Sequence, residues 1–447
     1  MVYFQVVKSE ELLNSPVNKR QEAVAEEIQR GSILARDGVT ELAATRWDEN
    51  GNETRVYPYG SLFAQTVGYS AYGGSGLEAS KNAALLQSNA SIMNQVQKEL
   101  YEEKKPGDNL VTTLDVSLQQ AAADALTGQS GAVVVMDADT GKVLVDYSSP
   151  AYDPNTVTED WDYLTQNDNG IFLNRVMQGL YPPGSTFKVI TALAYLRTYG
   201  TFDNFEYTCE GTHTESDFTI HCYGYYAHGY ENFESAVANS CNCAFAYMAT
   251  HLIDKDVLRE TAESFGFNAD LDTDLSATTS EFHLDKNTPD QLTMQTAIGQ
   301  GDTLATPIQM CLVADAVANG GKMMRPMFVD RIVSADGKYE NEAEPEVMRE
   351  VMNASEAENL QKVMKAVVQW GTAADLADLP YDIAGKTGTA EYGNIEDGTA
   401  HSWFIGFSNT GREDIVIAVI IEGGGNGIAP ATQAARTVFQ TWFGNGQ

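Results

Sequence analysis

The chain has 447 residues, 43% of them hydrophobic, so it is long enough to bury a large core and to form more than one domain. It carries 28 Lys and Arg residues against 62 Asp and Glu residues, a formal net charge of −34. This balance argues against nucleic-acid binding, because phosphates are bound by clustered Lys and Arg. No apolar run reaches the roughly 20 residues that span a bilayer. Residues 1–7 are largely apolar and fit either the stub of an anchor helix or a short strand or helix turn.

Residues 1–108 are predicted to form a smaller N-terminal domain. Residues 18–28 have helical spacing, and a strand-turn-strand pattern follows at residues 33–38, where Asp-Gly is a strong turn signal. Residues 104–108 are polar and turn-rich, which indicates a domain boundary there.

The longer second part, residues 109–447, is predicted to contain strands at both ends and helices between them. The strands are expected at residues 131–136, 142–147, 402–407 and 415–421, the first two forming a hairpin, and a helix with one apolar face ends the chain at Ala435, Val438, Phe439 and Trp442. Strands that are remote in sequence but share a sheet, with a helical block inserted, imply an α+β fold.

The five cysteines do not show the C-x-x-C pairs that are typical of metal sites, so their spacing predicts no metal site. Cys209 and Cys222 flank one short loop and are predicted to form a disulfide if the compartment is oxidising. Cys311 lies in an apolar, helix-like run and is predicted to be an inert core thiol.

A serine with a nearby lysine marks the first motif, at residues 183–188 (P-G-S-T-F-K). Pro-Gly predicts a turn, so Ser185 is expected to open the following helix, with Lys188 about one turn on and on the same side. A serine hydroxyl needs a base to become a nucleophile, and a lysine can be that base when burial lowers its pKa. The alternative is a helix-capping serine and a solvated lysine. The S-x-x-K pattern alone does not decide between them.

The second motif is Ser240-Cys241-Asn242. The Ser240 hydroxyl could pass a proton to a leaving group, while the Asn242 amide could hold a substrate carbonyl and Lys188. The alternative is an ordinary polar helix cap. Another S-x-N, at residues 80–82, precedes the first motif and lies in the other predicted domain, so it does not fit the order.

The third motif is K-T-G within residues 385–391, predicted on an edge strand. Lys386 adds positive charge, and the Thr387 and Thr389 hydroxyls could bind a carboxylate. Gly388 would let a substrate backbone approach closely. The alternative is an ordinary loop that contains glycine.

Together, in this order and spread over about 200 residues, the three motifs are far more specific than any one of them. They resemble those of the class B penicillin-binding proteins, the monofunctional peptidoglycan transpeptidases. The resemblance covers nearly all of residues 109–447 and includes further landmarks of the family. These are residues 114–120, 152–155, 297–301, 318–321 and 401–407, with residues 30–38 resembling the family's pedestal segment.

The resemblance implies an α+β fold: a penicillin-binding and serine β-lactamase-like transpeptidase domain, with an antiparallel sheet and helices, at residues 109–447, and a pedestal domain at residues 1–108. The catalytic residues would be Ser185, Lys188, Ser240 and Asn242, and the substrate-binding residues Lys386, Thr387, Gly388 and Thr389. Ser185 would be the nucleophile and Lys188 its base. The backbone N–H groups of Ser185 and Thr389 would form the oxyanion hole.

The family also implies surroundings and partners. The substrate would be peptidoglycan stem peptides, and β-lactams would bind covalently at Ser185. The protein would be extracytoplasmic, anchored in the membrane by an N-terminal helix, and would work with a glycan-polymerising membrane partner. No metal, no other cofactor and no nucleic acid is expected. One departure is Cys243 directly after Asn242, where a small or hydroxylated residue is more familiar.

Three alternatives remain open at this point. A β-lactam-sensing domain would share S-x-x-K and K-T-G, but it would not need a pedestal domain. A serine β-lactamase would need a residue that activates water and is usually one compact domain. A D,D-carboxypeptidase differs from a transpeptidase only in sending water, not an amine, to the acyl-enzyme, and the sequence does not separate these two.

Overall fold

The structure is a computed structural model, which describes residues 20–49, 51–100, 103–391, 400–425 and 429–444. The apolar segment at residues 1–7 lies outside the described residues. No described helix is both long enough and apolar enough to cross a bilayer.

The N-terminal part of the chain combines short strands with short helices. The helices are Arg20–Glu27, Ala64–Val67, Gly76–Ser80, Asn82–Leu85 and Ile92–Leu100, with a 3-10 turn at Gly60–Phe63. Strands Ile33–Leu34 and Glu41–Trp47 pair antiparallel around residues 37–38, which confirms the predicted strand-turn-strand. Strands Ile28–Gln29 and Lys105–Pro106 form a small parallel pair.

A six-stranded sheet links this part of the chain to the rest. Its order is Glu340–Glu342, Val329–Val333, Asn109–Thr112, Ile33–Leu34, Glu41–Trp47 and Glu53–Val56. Strand Asn109–Thr112 pairs with Ile33–Leu34 on one side and with Val329–Val333 on the other. Strand pairing therefore crosses the predicted boundary at residue 108, and that boundary stays a prediction.

The second part is built on a five-stranded antiparallel sheet. Its order is Ile383–Glu391, Ala400–Ser408, Ile415–Ile421, Gly131–Asp137 and Val143–Ser149. The hairpin predicted at residues 131–147 and the two C-terminal strands are thus confirmed. Every residue of Ile415–Ile421 is buried, which requires that both faces of the central strand be covered.

Helices cover this sheet and fill the space between its remote strands. The larger ones are Val116–Ala125, Lys188–Tyr199, Lys255–Ser264, Asp290–Ala297, Pro307–Ala318, Ala354–Gln369 and Ala429–Gly444. In the last of these, Ala435, Val438 and Phe439 are buried and Trp442 is half-buried, as the predicted apolar face requires.

Shorter elements complete the second part. The helices are Trp161–Thr165, Arg175–Gln178, Phe233–Ala238 and Asn242–Tyr247, with single turns at Gly184–Phe187, Tyr223–Tyr225, Met248–Leu252 and Ala374–Leu376. Besides the parallel pair of the N-terminal part, the described residues contain three strand pairs outside the two sheets: Glu206–Cys209 with Gly229–Asn232, Thr212–Glu215 with Phe218–His221, and Lys322–Met324 with Val347–Glu350. An antiparallel sheet with an inserted helical block is the predicted α+β fold.

Candidate active site

The predicted nucleophile lies in a tight turn at the start of a buried helix. Residues Gly184–Phe187 form one 3-10 turn, which runs directly into the helix Lys188–Tyr199. The Thr186 hydroxyl donates to Pro183 O at 2.6 Å and fixes this turn. Ser185 is half-buried, and its hydroxyl makes no hydrogen bond within the described part of the chain. The turn therefore presents Ser185 at the helix start, as predicted, with its hydroxyl unengaged.

Lys188 is held inside the protein by polar partners from the second motif. Its side chain is 1% exposed, and Nζ donates to Ser240 O at 2.8 Å, Ser240 Oγ at 3.2 Å and Asn242 Oδ1 at 2.7 Å. The Phe245 ring centroid lies 5.3 Å from Nζ. Burial lowers the pKa of Lys188 to about 8. Such a lysine is partly neutral near neutral pH and can accept a proton.

Ser240 connects the first motif to the third. Its hydroxyl lies 3.2 Å from Lys188 Nζ and 2.9 Å from Lys386 Nζ, so it accepts from two lysines at once. Its backbone adopts a positive φ of 54°, which is uncommon for a residue other than glycine. Asn242 begins the next helix, and its Nδ2 donates to His221 O at 3.0 Å. The S-x-N motif thus lies at a helix start, with its two polar side chains turned toward Lys188.

Lys386 lies on the strand Ile383–Glu391, at the edge of the five-stranded sheet as predicted. It is fully buried, and Nζ also donates to Thr387 O at 2.9 Å. Burial lowers the pKa of Lys386 well below its usual value, and the positive charge of Lys188 lowers it further. Two buried lysines that share one hydroxyl disfavour double protonation, because like charges repel strongly away from water.

The two threonines of the third motif differ in their accessibility. The Thr387 side chain is almost fully buried, and its hydroxyl lies 2.6 Å from the Thr372 hydroxyl. Thr389 is half-buried. Of the two hydroxyls predicted to bind a carboxylate, that of Thr389 is therefore the more available.

Glycine residues allow close backbone packing between the turn that carries Ser185 and the strand that carries the third motif. Gly184 has a φ of +55°, and a Cβ built there would lie 2.6 Å from Thr389 O. A Cβ at Gly388 would lie 3.0 Å from Thr186 Cγ2 and 3.1 Å from Pro183 O. The absence of a side chain at Gly388 makes room for the turn that carries Ser185, and the expected approach of a substrate backbone at Gly388 stays a prediction. This packing holds the backbones of Ser185 and Thr389 close together.

The structure thus brings all eight predicted site residues to one place. Side-chain hydrogen bonds join Lys188, Ser240, Asn242 and Lys386, and backbone packing joins the other members. Sequence reasoning missed four supporting residues. They are Thr372, which partners Thr387, Phe245, which packs beside Lys188, Gly299, whose carbonyl accepts from Gly184 N at 2.8 Å, and Trp403, whose Nε1 donates to Pro182 O at 3.1 Å. Of these, Gly299 and Trp403 lie in segments that already resembled family landmarks.

The cysteines beside this site do not form the predicted disulfide, and they lie in a cluster with a histidine. Cys209 Sγ and Cys222 Sγ are 3.7 Å apart, whereas a disulfide bond is about 2.05 Å long, so the predicted disulfide is not formed. The spacing along the chain also gave no sign of a cluster that these residues form in space. Cys209, Cys222, His228 and Cys241 come from four separate segments, and their ligand atoms all lie within 4.8 Å of one another. Cys311, by contrast, is fully buried, and burial raises the pKa of its thiol well above the usual value, as expected of a core thiol.

Comparisons with known proteins agree with this arrangement. The family described as penicillin-binding protein transpeptidase domain matches residues 131–440, and the penicillin-binding protein A dimerisation domain matches residues 30–110. The peptidoglycan D,D-transpeptidase PbpA of Mycolicibacterium smegmatis is 31% identical over 94% of this chain and 89% of that protein. PbpA of Mycobacterium tuberculosis is 30% identical with the same coverage.

Solved structures give the same result. The D,D-transpeptidase domain of a peptidoglycan glycosyltransferase from Eggerthella lenta has a TM-score of 0.84 at 30% identity, covering 94% of this chain and 99% of that one. The imipenem acyl-enzyme complex of penicillin-binding protein A from M. tuberculosis has a TM-score of 0.83 at 28% identity, covering 93% and 99%. These matches define an enzyme with a transpeptidase domain. The chain belongs to the class B penicillin-binding proteins, which confirms the predicted family and fold class.

Proposed function

We propose that this protein is a peptidoglycan D,D-transpeptidase that acts through an acyl-enzyme on Ser185. The observation that carries this assignment of residues is the Ser240 hydroxyl, which lies within hydrogen-bond distance of both Lys188 and Lys386. It joins three motifs that are separate in sequence into one proton-conducting site. The relatives named as D,D-transpeptidases support the reaction class.

Acylation begins when neutral Lys188 takes the proton of the Ser185 hydroxyl. The two residues are three positions apart across the turn, so their side chains face the same side. With a pKa of about 8, roughly one tenth of Lys188 is neutral at pH 7. Ser185 Oγ then bonds to the carbonyl carbon of the penultimate D-alanine, and the bond from that carbon to the terminal D-alanine nitrogen breaks. Ser240 passes a proton from the lysine pair to the leaving amine.

The developing negative charge on the carbonyl oxygen is stabilised by the backbone N–H groups of Ser185 and Thr389. Their closeness follows from the packing of Gly184 against Thr389 O. Lys386 and the Thr389 hydroxyl hold the terminal carboxylate of the substrate, while the Asn242 amide holds Lys188 in place. The roles are those expected from the sequence, except that Thr387 acts through its hydroxyl pair with Thr372.

The second half-reaction distinguishes the alternatives. An amine that attacks the acyl-enzyme completes cross-linking, whereas water would make the protein a carboxypeptidase or, with β-lactams, a β-lactamase. The named relatives favour the amine. A β-lactam-sensing domain would form the acyl-enzyme with the β-lactam and would not carry out the second half-reaction.

A membrane-bound glycan polymerase as partner and an extracytoplasmic, membrane-anchored location are also part of this proposal. Cross-linking needs glycan strands that another enzyme polymerises outside the membrane. The helix Ile92–Leu100 of the N-terminal part carries exposed apolar side chains at Ile92, Met93 and Leu100, which suit a protein partner. Co-purification of a polymerase from membranes, and its loss when Met93 and Leu100 are both replaced by Ser, would test this contact. Equal recovery of the polymerase with the unaltered protein and with the double variant would exclude this contact.

The central test labels the protein with a fluorescent penicillin and follows the adduct by intact mass. We expect one stable addition, mapped to Ser185, which Ser185→Ala abolishes. The matched control Ser355→Ala, on the exposed first turn of the helix Ala354–Gln369, should label normally. Incubation with a D-Ala-D-Ala peptide and an acceptor amine should release D-alanine and give a coupled product. D-alanine release without coupling would mean a carboxypeptidase, rapid release of the label a β-lactamase, and no labelling by several β-lactams would exclude the proposed function.

A further inference from the structure

A cluster of sulfur and nitrogen ligands lies beside the active site and takes no part in the proposed chemistry. Cys209 ends the strand Glu206–Cys209, Cys222 follows the strand Phe218–His221, His228 precedes the strand Gly229–Asn232, and Cys241 is the N-cap of the helix Asn242–Tyr247. The three cysteines are buried and His228 is half-buried. Four elements that converge with one ligand each are arranged as in a closed structural metal site.

Three distances within this cluster match the edge lengths of a tetrahedral zinc site. With Zn–S bonds of about 2.3 Å, neighbouring sulfurs of a tetrahedral site lie about 3.75 Å apart, and a sulfur and a histidine nitrogen about 3.6 Å apart. Cys222 Sγ lies 3.7 Å from Cys209 Sγ and 3.7 Å from Cys241 Sγ, and Cys209 Sγ lies 3.5 Å from His228 Nδ1. The remaining pairs of ligand atoms also lie within 4.8 Å of one another, so all four atoms can reach one ion.

Two further contacts favour metal-bound thiolates over neutral core thiols. Backbone N–H groups donate to sulfur at 3.4 Å in two places, from Gly211 to Cys209 and from Ala244 to Cys241. Such donors stabilise negative charge on sulfur and orient the ligand, which is the usual support around metal ligands. A disulfide between Cys209 and Cys222 would engage only two of the sulfurs and leave Cys241 and His228 without a role.

We propose that Cys209, Cys222, His228 and Cys241 bind a structural Zn²⁺ ion. Three thiolates and one imidazole in a closed, buried tetrahedron suit Zn²⁺, whereas Mg²⁺ and Ca²⁺ prefer oxygen ligands. Cys243 is not a ligand: its sulfur lies 3.5 Å from Cys222 Sγ, but it is outside the group whose atoms are all close to one another. Cys243 is therefore a neighbour of the proposed ligand Cys222 and has no other part in this site.

The metal would also position the second motif. Cys241 stands between Ser240 and Asn242, and the Asn242 side chain donates to the carbonyl of His221, the residue before Cys222. Ser240 holds a positive φ that is costly for a residue with a side chain. A bond from Cys241 to zinc would hold this loop, so Ser240 and Asn242 become positioned through the metal. This consequence rests on the proposed function, whereas zinc binding itself does not.

The test measures zinc in the full chain, purified in reducing buffer without chelator. We expect about one zinc per chain by elemental analysis, and a zinc adduct by native mass spectrometry that is lost on denaturation. Cobalt exchanged into the site should give the visible absorption of tetrahedral thiolate coordination. Cys209→Ser and Cys241→Ser should each lose the metal, while Cys311→Ser, a buried cysteine outside the cluster, should keep it.

Unaltered protein alone can refute the proposal, even if the cysteine variants fail to fold. No zinc after incubation with ZnCl₂, or an intact mass lower by two hydrogens that maps to a Cys209–Cys222 disulfide, would overturn it. The positioning role predicts that chelation slows acylation by a fluorescent penicillin by about 10- to 100-fold and that added zinc restores it. If zinc is bound and its removal leaves acylation unchanged, the positioning role is wrong. If the unaltered protein binds zinc but is never acylated, it is the proposed function that fails.

Discussion

The replacement Asn242→Asp should shift the pH dependence of acylation. Asn242 Oδ1 accepts from Lys188 Nζ at 2.7 Å, where Lys188 is buried and Asn242 is half-buried. The isosteric carboxylate would place a negative charge at that distance and favour the protonated lysine. An opposite charge within about 4 Å raises a lysine pKa by roughly 1 to 3 units. Starting from a pKa of about 8, the midpoint should move to between about 9 and 11.

The sign of the rate change follows from which form of Lys188 reacts. The neutral amine is the base, so acylation falls as the pH drops below the lysine pKa. In the unaltered protein the acylation rate should rise from pH 6, reach half of its maximum near pH 8 and level off above about pH 9. In the Asp variant the rate at pH 7 should fall about 10- to 1000-fold and recover as the pH is raised.

The assay is the second-order rate of acylation by a fluorescent penicillin, measured by stopped flow from pH 6 to pH 9.5. Asn353→Asp is the matched control: this exposed residue caps the helix Ala354–Gln369 and belongs to none of the three motifs, and Asp caps helices equally well. A rate that falls by the same factor at every pH would point to damaged geometry, and an unchanged midpoint would refute Lys188 as the base. Because the variant also loses the donor to His221 O, melting temperatures should accompany the rates.

Two further predictions concern the third motif and the nucleophile turn. Thr389→Val should slow acylation by a D-Ala-D-Ala peptide by the equivalent of about 1.5–3 kcal/mol, the cost of one hydrogen bond to a charged group, and should leave the C-terminal amide of that peptide unaffected. Equal acylation of peptide and amide by the unaltered protein would remove the carboxylate role. Gly184→Ala should reduce penicillin labelling by about 100-fold, because its Cβ would lie 2.6 Å from Thr389 O and push the turn from the strand. Gly320→Ala is the control, since it has a similar positive φ of 61° but open space around its Cβ, and equal labelling of the two variants would contradict the clash.

The sequence predicted the larger elements well because their signals are local. Two apolar runs on either side of a turn located the hairpin at residues 131–147, and one apolar face located the C-terminal helix. Motif order was informative for a different reason: three short patterns of chemically specific residues rarely occur together by chance. The order of the motifs along the chain, however, does not give the distances between their side chains in the folded protein. That Ser240 lies between two lysine side chains required the sheet edge, the nucleophile helix and the S-x-N loop to be brought together in space.

What the sequence by itself determined, then, was the family, the α+β class and the eight motif residues. Tertiary structure alone decided how those residues support one another: the depressed pKa of Lys188 comes from burial, and the hydroxyl partner of Thr387 comes from a turn that carries no motif. The cysteines make the point most clearly. Their spacing predicted a disulfide and no metal site, because spacing records only separation along the chain. Folding brings the ligand atoms of Cys209, Cys222, His228 and Cys241 from four segments to within 4.8 Å of one another, and only three-dimensional distances can reveal that.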